Sequence, residues 1–505
     1  MYKKVVISIF LVISLIVSLG IPSSAKIIIE NVGTSIFPSN FMPAQGNVGA
    51  LVIPVEFIDF RFQEDPVENL EAMFSGNGTD LVPSVENYFT NASYGEMKIN
   101  AEIQPVVRLD KTRRSYSGQH AQLIEDLLAV MTDRGIDLSE FDQNGGGVLD
   151  GLYIIWAGAP EASGDDWWPY SDTFYFEYKV AGIQLGSFSF LSYELLTENS
   201  VLRQYTAIHE TGHQLGLTDY YADSYTSGTN AAVMMDRNEG DEDCFSKMLL
   251  GWITPQVINS SCYVTLESAS VTADAALIVP QSWDGNYLSE YFMAEYVTPE
   301  ANQEDQPLAA GGGVRIWHVN AATSQWTDDI TASMYRSDNS NAGPKLLSIV
   351  DPNTEWYGTS DMITEEQTVL YTGENSGISI RVDAIENGSA QLCVVYFGEE
   401  PAKPEKDEAS IEEEEQTETE EDGAVENSEE PDGGQNESSM AENPAEEENV
   451  QGEPEFEENA VFETEGEKKP SIGPILILIL LGVLVYLVLK NDKKRKYKKR
   501  RRRKQ

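Results

Sequence analysis

The chain has 505 residues, a formal net charge of −49 at pH 7 and three cysteines. Such an excess of acidic residues argues against nucleic-acid binding, because negative side chains repel the phosphate backbone. Three cysteines permit at most one internal disulfide, so the fold must depend on a hydrophobic core and on any metal ions that it binds.

The N-terminus predicts export from the cell. Residues 1–25 combine a basic start at Lys3 and Lys4, an apolar run over 5–19 and a small-residue exit. This order is typical of a cleaved secretory signal peptide. An uncleaved anchor helix is the alternative, but the apolar run is short for a bilayer. Residues 26–47 then form a short N-terminal segment.

Residues 48–255 predict an α+β domain. Strand-like runs at 51–57 and 152–156 alternate with helical stretches at 84–90 and 120–132. Because about 370 residues separate the signal peptide from the C-terminal acidic region, a second domain is expected after Pro255.

Residues 141–150, FDQNGGGVLD, resemble a calcium loop of the form DxDxDGxxxD. Alternating oxygen ligands around a glycine turn can enclose a hard cation. Asn144 and Gly146 stand where Asp is usual, which removes two charges and one ligand. A Ca²⁺ site and a plain glycine-rich turn are both open interpretations.

Residues 201–217, VLRQYTAIHETGHQLGL, predict one helix that Gly216 ends. His209 and His213 are four residues apart, so both imidazoles project from one helix face and can bind one Zn²⁺ ion. Glu210 lies about 100° round the axis, where its carboxylate can act as general base on a zinc-activated water. The chain has only four histidines, which favours this interpretation over two solvated histidines.

Asp219 is the predicted third ligand. Gly216 lets the backbone turn sharply out of the helix, so a residue three positions later can return to the ion. A carboxylate is an accepted zinc ligand. The alternative is that Asp219 caps a turn.

The segment HETGHQLGLTDYY resembles the active-site signature of the M6 family, the immune inhibitor A type of bacterial secreted metalloproteases, in which Asp replaces the third His of metzincins. Weaker likeness extends over residues 48–325. The resemblance implies a zincin-type, metzincin-like catalytic domain over 48–255, and a methionine beneath the metal at Met234 or Met235. The two methionines could equally be ordinary core residues. The family usually has a longer pro-segment than 26–47.

Residues 256–398 predict an all-β sandwich. Short runs rich in Val, Ile and Tyr are separated by Gly, Asn, Asp and Pro. The predicted strands lie at 263–267, 276–279, 290–297, 314–319, 346–350, 378–382 and 391–396. Cys262 and Cys393 fall near the two ends of this segment, and we expect them to form a disulfide that leaves Cys244 free.

Four further aromatic or histidine residues have open or structural roles. Trp167, Trp168 and Tyr170 either line a substrate cleft or pack in the core. His318 lies in a strand pattern far from the zinc signature and is expected to be structural.

The C-terminal region predicts a stalk and a membrane anchor. Residues 399–469 carry 29 acidic and 4 basic residues, a net charge of −25, which favours an extended disordered linker over a calcium-binding segment. An uncharged run at 472–489 predicts a transmembrane helix, assigned to 471–489. Residues 490–505 hold twelve Lys or Arg, so the tail should be cytoplasmic and the ectodomain extracellular.

The sequence therefore predicts a single-pass, membrane-anchored extracellular zinc metalloendopeptidase that acts on extracellular proteins or peptides. Its general base is Glu210, and its ligands are His209, His213 and Asp219. A catalytically degenerate surface binding or adhesion module is the main alternative, and another zinc hydrolase such as an amidase is a third. The intact His, Glu and His favour the protease, because a binding module does not need the base.

Overall fold

The computed structural model describes residues 34–79, 81–163, 165–222, 227–283, 285–309, 311–321, 339 and 344–403. The chain divides into two units, 1–412 and 413–505, and all described residues belong to the first. The predicted signal peptide, most of the acidic linker, the transmembrane helix at 471–489 and the basic tail lie outside the described residues. Within those residues, no helix is both long enough and apolar enough to cross a membrane.

A six-stranded sheet organises the first part of the fold. Its strands follow the order β2, β1, β4, β8, β5, and β3 also pairs with β1. The pairings are parallel except that β5 runs antiparallel to β8. A separate small sheet contains β6 and β7. The strands are β1 (Gly46–Glu56), β2 (Met97–Ile103), β3 (Val107–Arg108), β4 (Gly151–Trp156), β5 (Tyr170–Thr173), β6 (Lys179–Val180), β7 (Ile183–Gln184) and β8 (Ser187–Ser192).

Helices cover both faces of this sheet. Successive residues of β1 alternate between two buried clusters, with Val52 in one and Ile53 in the other. Helix α3 closes the second cluster, while α1, α2 and the helix that carries the zinc signature close the first. A strand buried on both faces needs a continuous apolar run, which explains the LVIPV sequence of β1. These helices are α1 (Val67–Phe74), α2 (Val85–Ala92) and α3 (His120–Asp133).

The predicted helix over 201–217 is two helices that meet at Tyr205. The second of them ends at Gln214, three residues earlier than predicted. Short 3₁₀ turns occur at Arg113–Tyr116, Leu138–Phe141 and Ala301–Gln303. The remaining helices are α4 (Tyr193–Leu196), α5 (Val201–Gln204), α6 (Thr206–Gln214), α7 (Met234–Arg237) and α8 (Cys244–Leu249).

Two more sheets follow. One has the order β14, β13, β12, β11, β9 and the other β10, β17, β16, β15. Every strand predicted in this part coincides with an observed strand, while β9 and β15 were not predicted. Both sheets contribute to one buried cluster, for example Phe292 and Ile316 from the first and Ile380 and Val394 from the second. The strands are β9 (Gln256–Ile258), β10 (Cys262–Glu267), β11 (Ala276–Ile278), β12 (Glu290–Val297), β13 (Gly313–Asn320), β14 (Leu347–Ile349), β15 (Met362–Ile363), β16 (Ile378–Glu386) and β17 (Ser389–Tyr396).

The hydrophobic core continues across the boundary predicted near Pro255. Met293 of β12 and Trp317 of β13 belong to the same buried cluster as Phe245 and Leu249 of α8. One face of the sheet that contains β12 and β13 therefore packs in the first cluster, together with α8. Its other face packs against the four-stranded sheet.

The predicted disulfide between Cys262 and Cys393 is wrong, since all three cysteines are free. The two residues do lie on adjacent antiparallel strands. However, Cys262 pairs with Val394, and Cys393 pairs with Tyr263. Because side chains alternate between sheet faces, this offset of one residue places the two thiols on opposite faces.

Candidate metal centre

Helix α6 brings together the two histidines of the signature. Nε2 of His209 and Nε2 of His213 each lie 3.1 Å from Oδ1 of Asp219. The three potential ligand atoms all lie within 4.8 Å of one another. Since α6 packs against β5, β8 and the first hydrophobic cluster, the two imidazoles start from a rigid support.

Asp219 reaches this position through the turn at Gly216. The backbone there has φ of +105°, a conformation that favours glycine. The amide of Leu217 donates to the carbonyl of Gly212 at 3.0 Å, which closes the end of α6. A Cβ atom at position 216 would also lie 2.4 Å from Cδ1 of Phe37, so glycine is required for both conformation and space.

Each histidine is oriented by a main-chain carbonyl. Nδ1 of His209 lies 3.1 Å from the oxygen of Met234, and Nδ1 of His213 lies 2.9 Å from the oxygen of Leu217. A carbonyl oxygen only accepts hydrogen bonds, so each Nδ1 carries the proton and donates it. Each Nε2 faces Oδ1 of Asp219. If both Nε2 atoms were deprotonated, two imidazoles and one carboxylate would offer the donor set of a catalytic zinc site.

Electrostatics couple Asp219 to His213. Burial opposes the charged form of His213, yet the adjacent Asp219 carboxylate raises the pKa of His213 to about 10. Burial likewise disfavours the Asp219 carboxylate, but the positive charge of His213 and hydrogen bonds from both histidines hold the pKa of Asp219 well below its usual range. A divalent cation would replace the proton in this arrangement.

Glu210 lies beside the ligands in a setting suited to proton transfer. It is 6% exposed, and its Oε2 atom has no hydrogen-bond partner. Its main-chain oxygen accepts hydrogen bonds from the hydroxyls of Ser171 at 2.7 Å and Ser189 at 3.3 Å. The sheet therefore fixes the backbone of Glu210, while the carboxylate keeps one oxygen available to accept a proton.

A cleft of about 480 Å³ opens over these residues. Strand β5, the last strand of its sheet, forms one wall, and all four of its residues line the cleft. Among the described residues, Asp172 is the one carboxylate in the lining apart from Glu210 and Asp219. Aromatic side chains supply much of the remaining wall: Phe41, Trp168, Tyr170, Tyr175 and Tyr221.

The structure separates the three aromatic candidates Trp167, Trp168 and Tyr170. Trp167 is 1% exposed and packs in the second hydrophobic cluster, where it donates to the Ser117 hydroxyl. Trp168 and Tyr170 line the cleft. The side chain of Trp167 therefore faces the core, whereas those of its neighbours Trp168 and Tyr170 face the cleft.

The two methionines also separate. Met234 contributes the carbonyl that orients His209. Met235 places its sulfur against α6, because a Cβ atom at Gly212 would lie 2.4 Å from Met235 Sδ. Met235 therefore lies against the helix turn between the two histidines.

His318 and the acidic residues at 236–243 are not part of the metal cluster. His318 pairs with Glu290 at 2.9 Å and stacks on Tyr371, as expected for a structural histidine. The acids at 236–243 are not among the grouped ligands, and Asp241, for example, is paired with the buried Lys247.

The glycine-rich loop at 141–150 has features of both predicted interpretations. Asp142 accepts a hydrogen bond from the Gly147 amide, and Asp150 accepts from the amides of Gly49 and Gln143. A plain turn accounts for these bonds. However, Oδ1 of Asp142 and Oδ1 of Asp150 are buried without partners, and burial together with the nearby Asp142 charge raises the pKa of Asp150 to about 6. These two oxygens are the atoms that Ca²⁺ would use, and calcium binding stays a prediction.

The sequence did not predict that three aromatic side chains line the cleft: Phe41, Tyr175 and Tyr221. The ring of Tyr221 is stacked 6.4 Å from that of His209. Its position two residues after Asp219 was a usable signal, since the Gly216 turn carries both residues towards the two histidines. Phe41 had no such signal, because only packing brings the N-terminal segment to the cleft. Tyr175 lies two residues after β5, and its place in the cleft depends on how that strand packs.

A scan of known protein-family models found none that matches this chain. A search of curated proteins found no match either. The likeness to M6 metalloproteases therefore stays a prediction that rests on the residues of the signature and the stretches around it.

Proposed function

We propose that this chain is a membrane-anchored extracellular zinc metalloendopeptidase, with a metzincin-like catalytic domain followed by a β-sandwich. The observation that carries the proposal is the convergence of His209, His213 and Asp219 in one cleft with the unpartnered carboxylate oxygen of Glu210. Neither a structural ion site nor a binding module needs a buried base beside its ligands.

The residues divide the chemistry between them. When bound, zinc supplies a Lewis acid that polarises the peptide carbonyl and makes water a stronger acid. His209, His213 and Asp219 would hold the ion. The Glu210 carboxylate accepts the proton of the attacking water and later delivers it to the leaving amine nitrogen.

The cleft fits an extended polypeptide as the substrate. Strand β5 is an edge strand that lines the cleft along its whole length. A peptide in extended conformation can add to such an edge through main-chain hydrogen bonds. Aromatic walls then offer contacts for substrate side chains. These features support an endopeptidase over an amidase for a small substrate.

Metal analysis and proteolysis of one preparation test the proposal. The purified full-length chain should contain about one zinc ion and cleave unfolded casein, and a chelator should abolish cleavage. Glu210→Gln should keep the zinc but lose activity by roughly 10²- to 10⁴-fold, because only proton transfer is removed.

Glu198→Gln is the matched control, since Glu198 is exposed and lies outside the cleft. It should retain full activity. A folded wild-type chain that binds no zinc would end the proposal. Zinc binding without proteolysis would instead favour the degenerate binding module, and unchanged turnover in Glu210→Gln would remove the base assignment.

The proposed membrane orientation can be tested on intact cells. The uncharged run at 472–489 and the twelve basic residues after it support a cytoplasmic tail. External protease should therefore digest the ectodomain and leave an epitope at the C-terminus protected. Digestion of that epitope in unbroken cells would contradict the orientation.

A further inference from the structure

Residues 34–45, the N-terminal strap, pack against both the metal centre and the cleft. The Met42 amide donates to the carbonyl of Gln214 at 2.8 Å, and the Ile36 amide donates to the carbonyl of Leu249 at 3.0 Å. The carbonyls near a helix C-terminus have no partner inside the helix. The strap therefore satisfies one such carbonyl in α6, the helix that carries His213, and one in α8.

Further contacts fix the strap along its length. Trp252 donates through its indole nitrogen to the oxygen of Ala44 at 2.6 Å, and Gln45 donates to the oxygen of Gly251 at 3.1 Å. Met42 and Ala44 are buried in the first hydrophobic cluster. A segment held in this way cannot leave without exposing part of the core.

Phe37 packs against the turn that delivers Asp219. A Cβ atom at Gly216 would lie 2.4 to 2.9 Å from three atoms of the Phe37 ring, so the ring lies directly on that backbone. The turn has a positive φ and is closed by hydrogen bonds of its own, such as the one from the Leu217 amide to the Gly212 carbonyl, and the ring adds packing to these bonds. The ring thereby limits how far the turn can open and how far Asp219 can move from the two histidines.

Phe41 forms part of the cleft wall. It is 5% exposed, its ring is 5.7 Å from that of Phe37, and it meets Tyr175 edge-on at 6.1 Å. Tyr175 is 56% exposed, and the adjacent Phe176 is 87% exposed. An aromatic surface of this kind at the cleft favours contact with a large apolar side chain of a peptide.

We propose that the N-terminal strap is a permanent part of the active protease rather than a removable pro-segment. Phe37 is a positioning residue for Asp219, and Phe41 is a specificity-determining wall that favours a large apolar substrate side chain. This inference rests on the proposed function, but zinc affinity tests it without relying on turnover.

The first test is the N-terminus of the active protein. Mass spectrometry of the purified full-length chain, isolated in its active state, should show that residues 34–45 are retained. A fully active form that begins after residue 45 would overturn the proposal.

The second test is zinc affinity measured by chelator competition. Phe37→Ala should raise the zinc dissociation constant about tenfold or more, the usual cost of losing an outer-shell support. Phe37→Leu should recover most of the affinity, because it restores much of the volume. Phe60→Ala is the control, since Phe60 is also partly buried but packs on Arg113 outside the cleft.

An unchanged zinc affinity in Phe37→Ala, or an equal loss in Phe60→Ala, would overturn the positioning role. A wild-type chain without zinc would instead refute the proposed function itself, so the two failures are distinguishable.

The third test is substrate preference. Phe41→Ala should lower kcat/KM for peptides with a large apolar side chain near the cleaved bond, by about tenfold relative to peptides with alanine there. Its zinc affinity should stay at the wild-type value. The conservative Phe41→Leu variant should keep part of the preference. An unchanged ratio of kcat/KM values in folded Phe41→Ala would overturn the specificity role.

Discussion

Asp219 is the residue on which the third metal contact depends. Its Oδ1 atom lies 3.1 Å from Nε2 of both histidines, and its position requires the left-handed backbone at Gly216. In the metal-free chain it also holds the proton on His213, as the raised pKa of about 10 indicates. The same carboxylate therefore serves as a counter-ion in the metal-free chain and would serve as a ligand in the proposed metal site.

Asp219→Asn should weaken zinc binding by more than about 100-fold, because loss of an outer-shell partner alone costs about 10- to 100-fold. Chelator competition at fixed pH measures this. Asp172→Asn is the matched control, since Asp172 also lines the cleft but its carboxylate accepts from the Thr173 amide. If Asp219→Asn bound zinc as tightly as the wild type, the third ligand would have to lie elsewhere.

At the scale of elements, helix α8 begins with a buried acidic cap. Asp243 is 1% exposed, and its two oxygens accept from the amide and the hydroxyl of Ser246 at 2.9 and 2.8 Å. Burial, with the charge of Glu295, raises the pKa of Asp243 from 3.8 to about 6, although the bonds from Ser246 oppose this rise. The folded state therefore binds this proton more tightly than the unfolded chain does.

The sign of the resulting pH dependence follows from linkage. The contribution of Asp243 to the unfolding free energy is greatest below pH 4 and falls as the pH rises through about 6. Asp243→Asn keeps an oxygen for the Ser246 amide but cannot ionise. Its stability relative to wild type should increase between pH 4 and pH 7 by about 2 to 3 kcal/mol, measured by urea unfolding.

Asp137→Asn is the control for this prediction. Asp137 also caps a turn, by accepting from the Ser139 amide, but it is solvent-exposed and hydrogen bonds lower its pKa. The removal of its charge should therefore not produce an increase with pH. A flat difference between Asp243→Asn and wild type over this range would show that Asp243 stays charged in the folded state.

Across the whole molecule, the β-rich part supports the metal centre. Glu355 accepts from the Ala232 amide at 3.0 Å and from the Arg315 guanidinium at 2.7 Å. Both Arg315 and Glu355 belong to the β-rich part, whereas Ala232 lies two residues before Met234, whose carbonyl orients His209. Trp317 of β13 also packs in the first hydrophobic cluster, beside residues of α8, and this contact is a second connection between the β-rich part and the metal centre.

A chain truncated after Pro255 should therefore lose both its fold and its zinc. It would expose apolar surface of α8 that Met293 and Trp317 otherwise cover. In the full-length chain, zinc release and loss of amide-exchange protection in β13 should occur at the same urea concentration. Zinc retained after β13 has unfolded would show two independent units.

Much of the candidate site and of the strand pattern could be predicted from short stretches of sequence. His209, His213, Gly216 and Asp219 all lie within eleven residues. Helix geometry alone predicted that the two histidines could meet, while the return of Asp219 was predicted from the turn at Gly216 and the resemblance to the M6 signature. Seven of the nine described strands after 255 were equally predictable, because runs of Val, Ile and Tyr separated by turn residues are also a local property.

Other features depended on contacts between distant parts of the chain. The sequence could not tell which methionine lies against α6, because Met234 and Met235 are adjacent and identical residues. The tertiary packing places Met235 against Gly212. The disulfide prediction failed because strand register is set by pairing between β10 and β17, not by the distance between cysteines along the chain. The sequence by itself thus determined that His209, Glu210, His213 and Asp219 could meet at one site, whereas only the tertiary structure decided the cleft walls and supports, because those side chains meet through long-range packing.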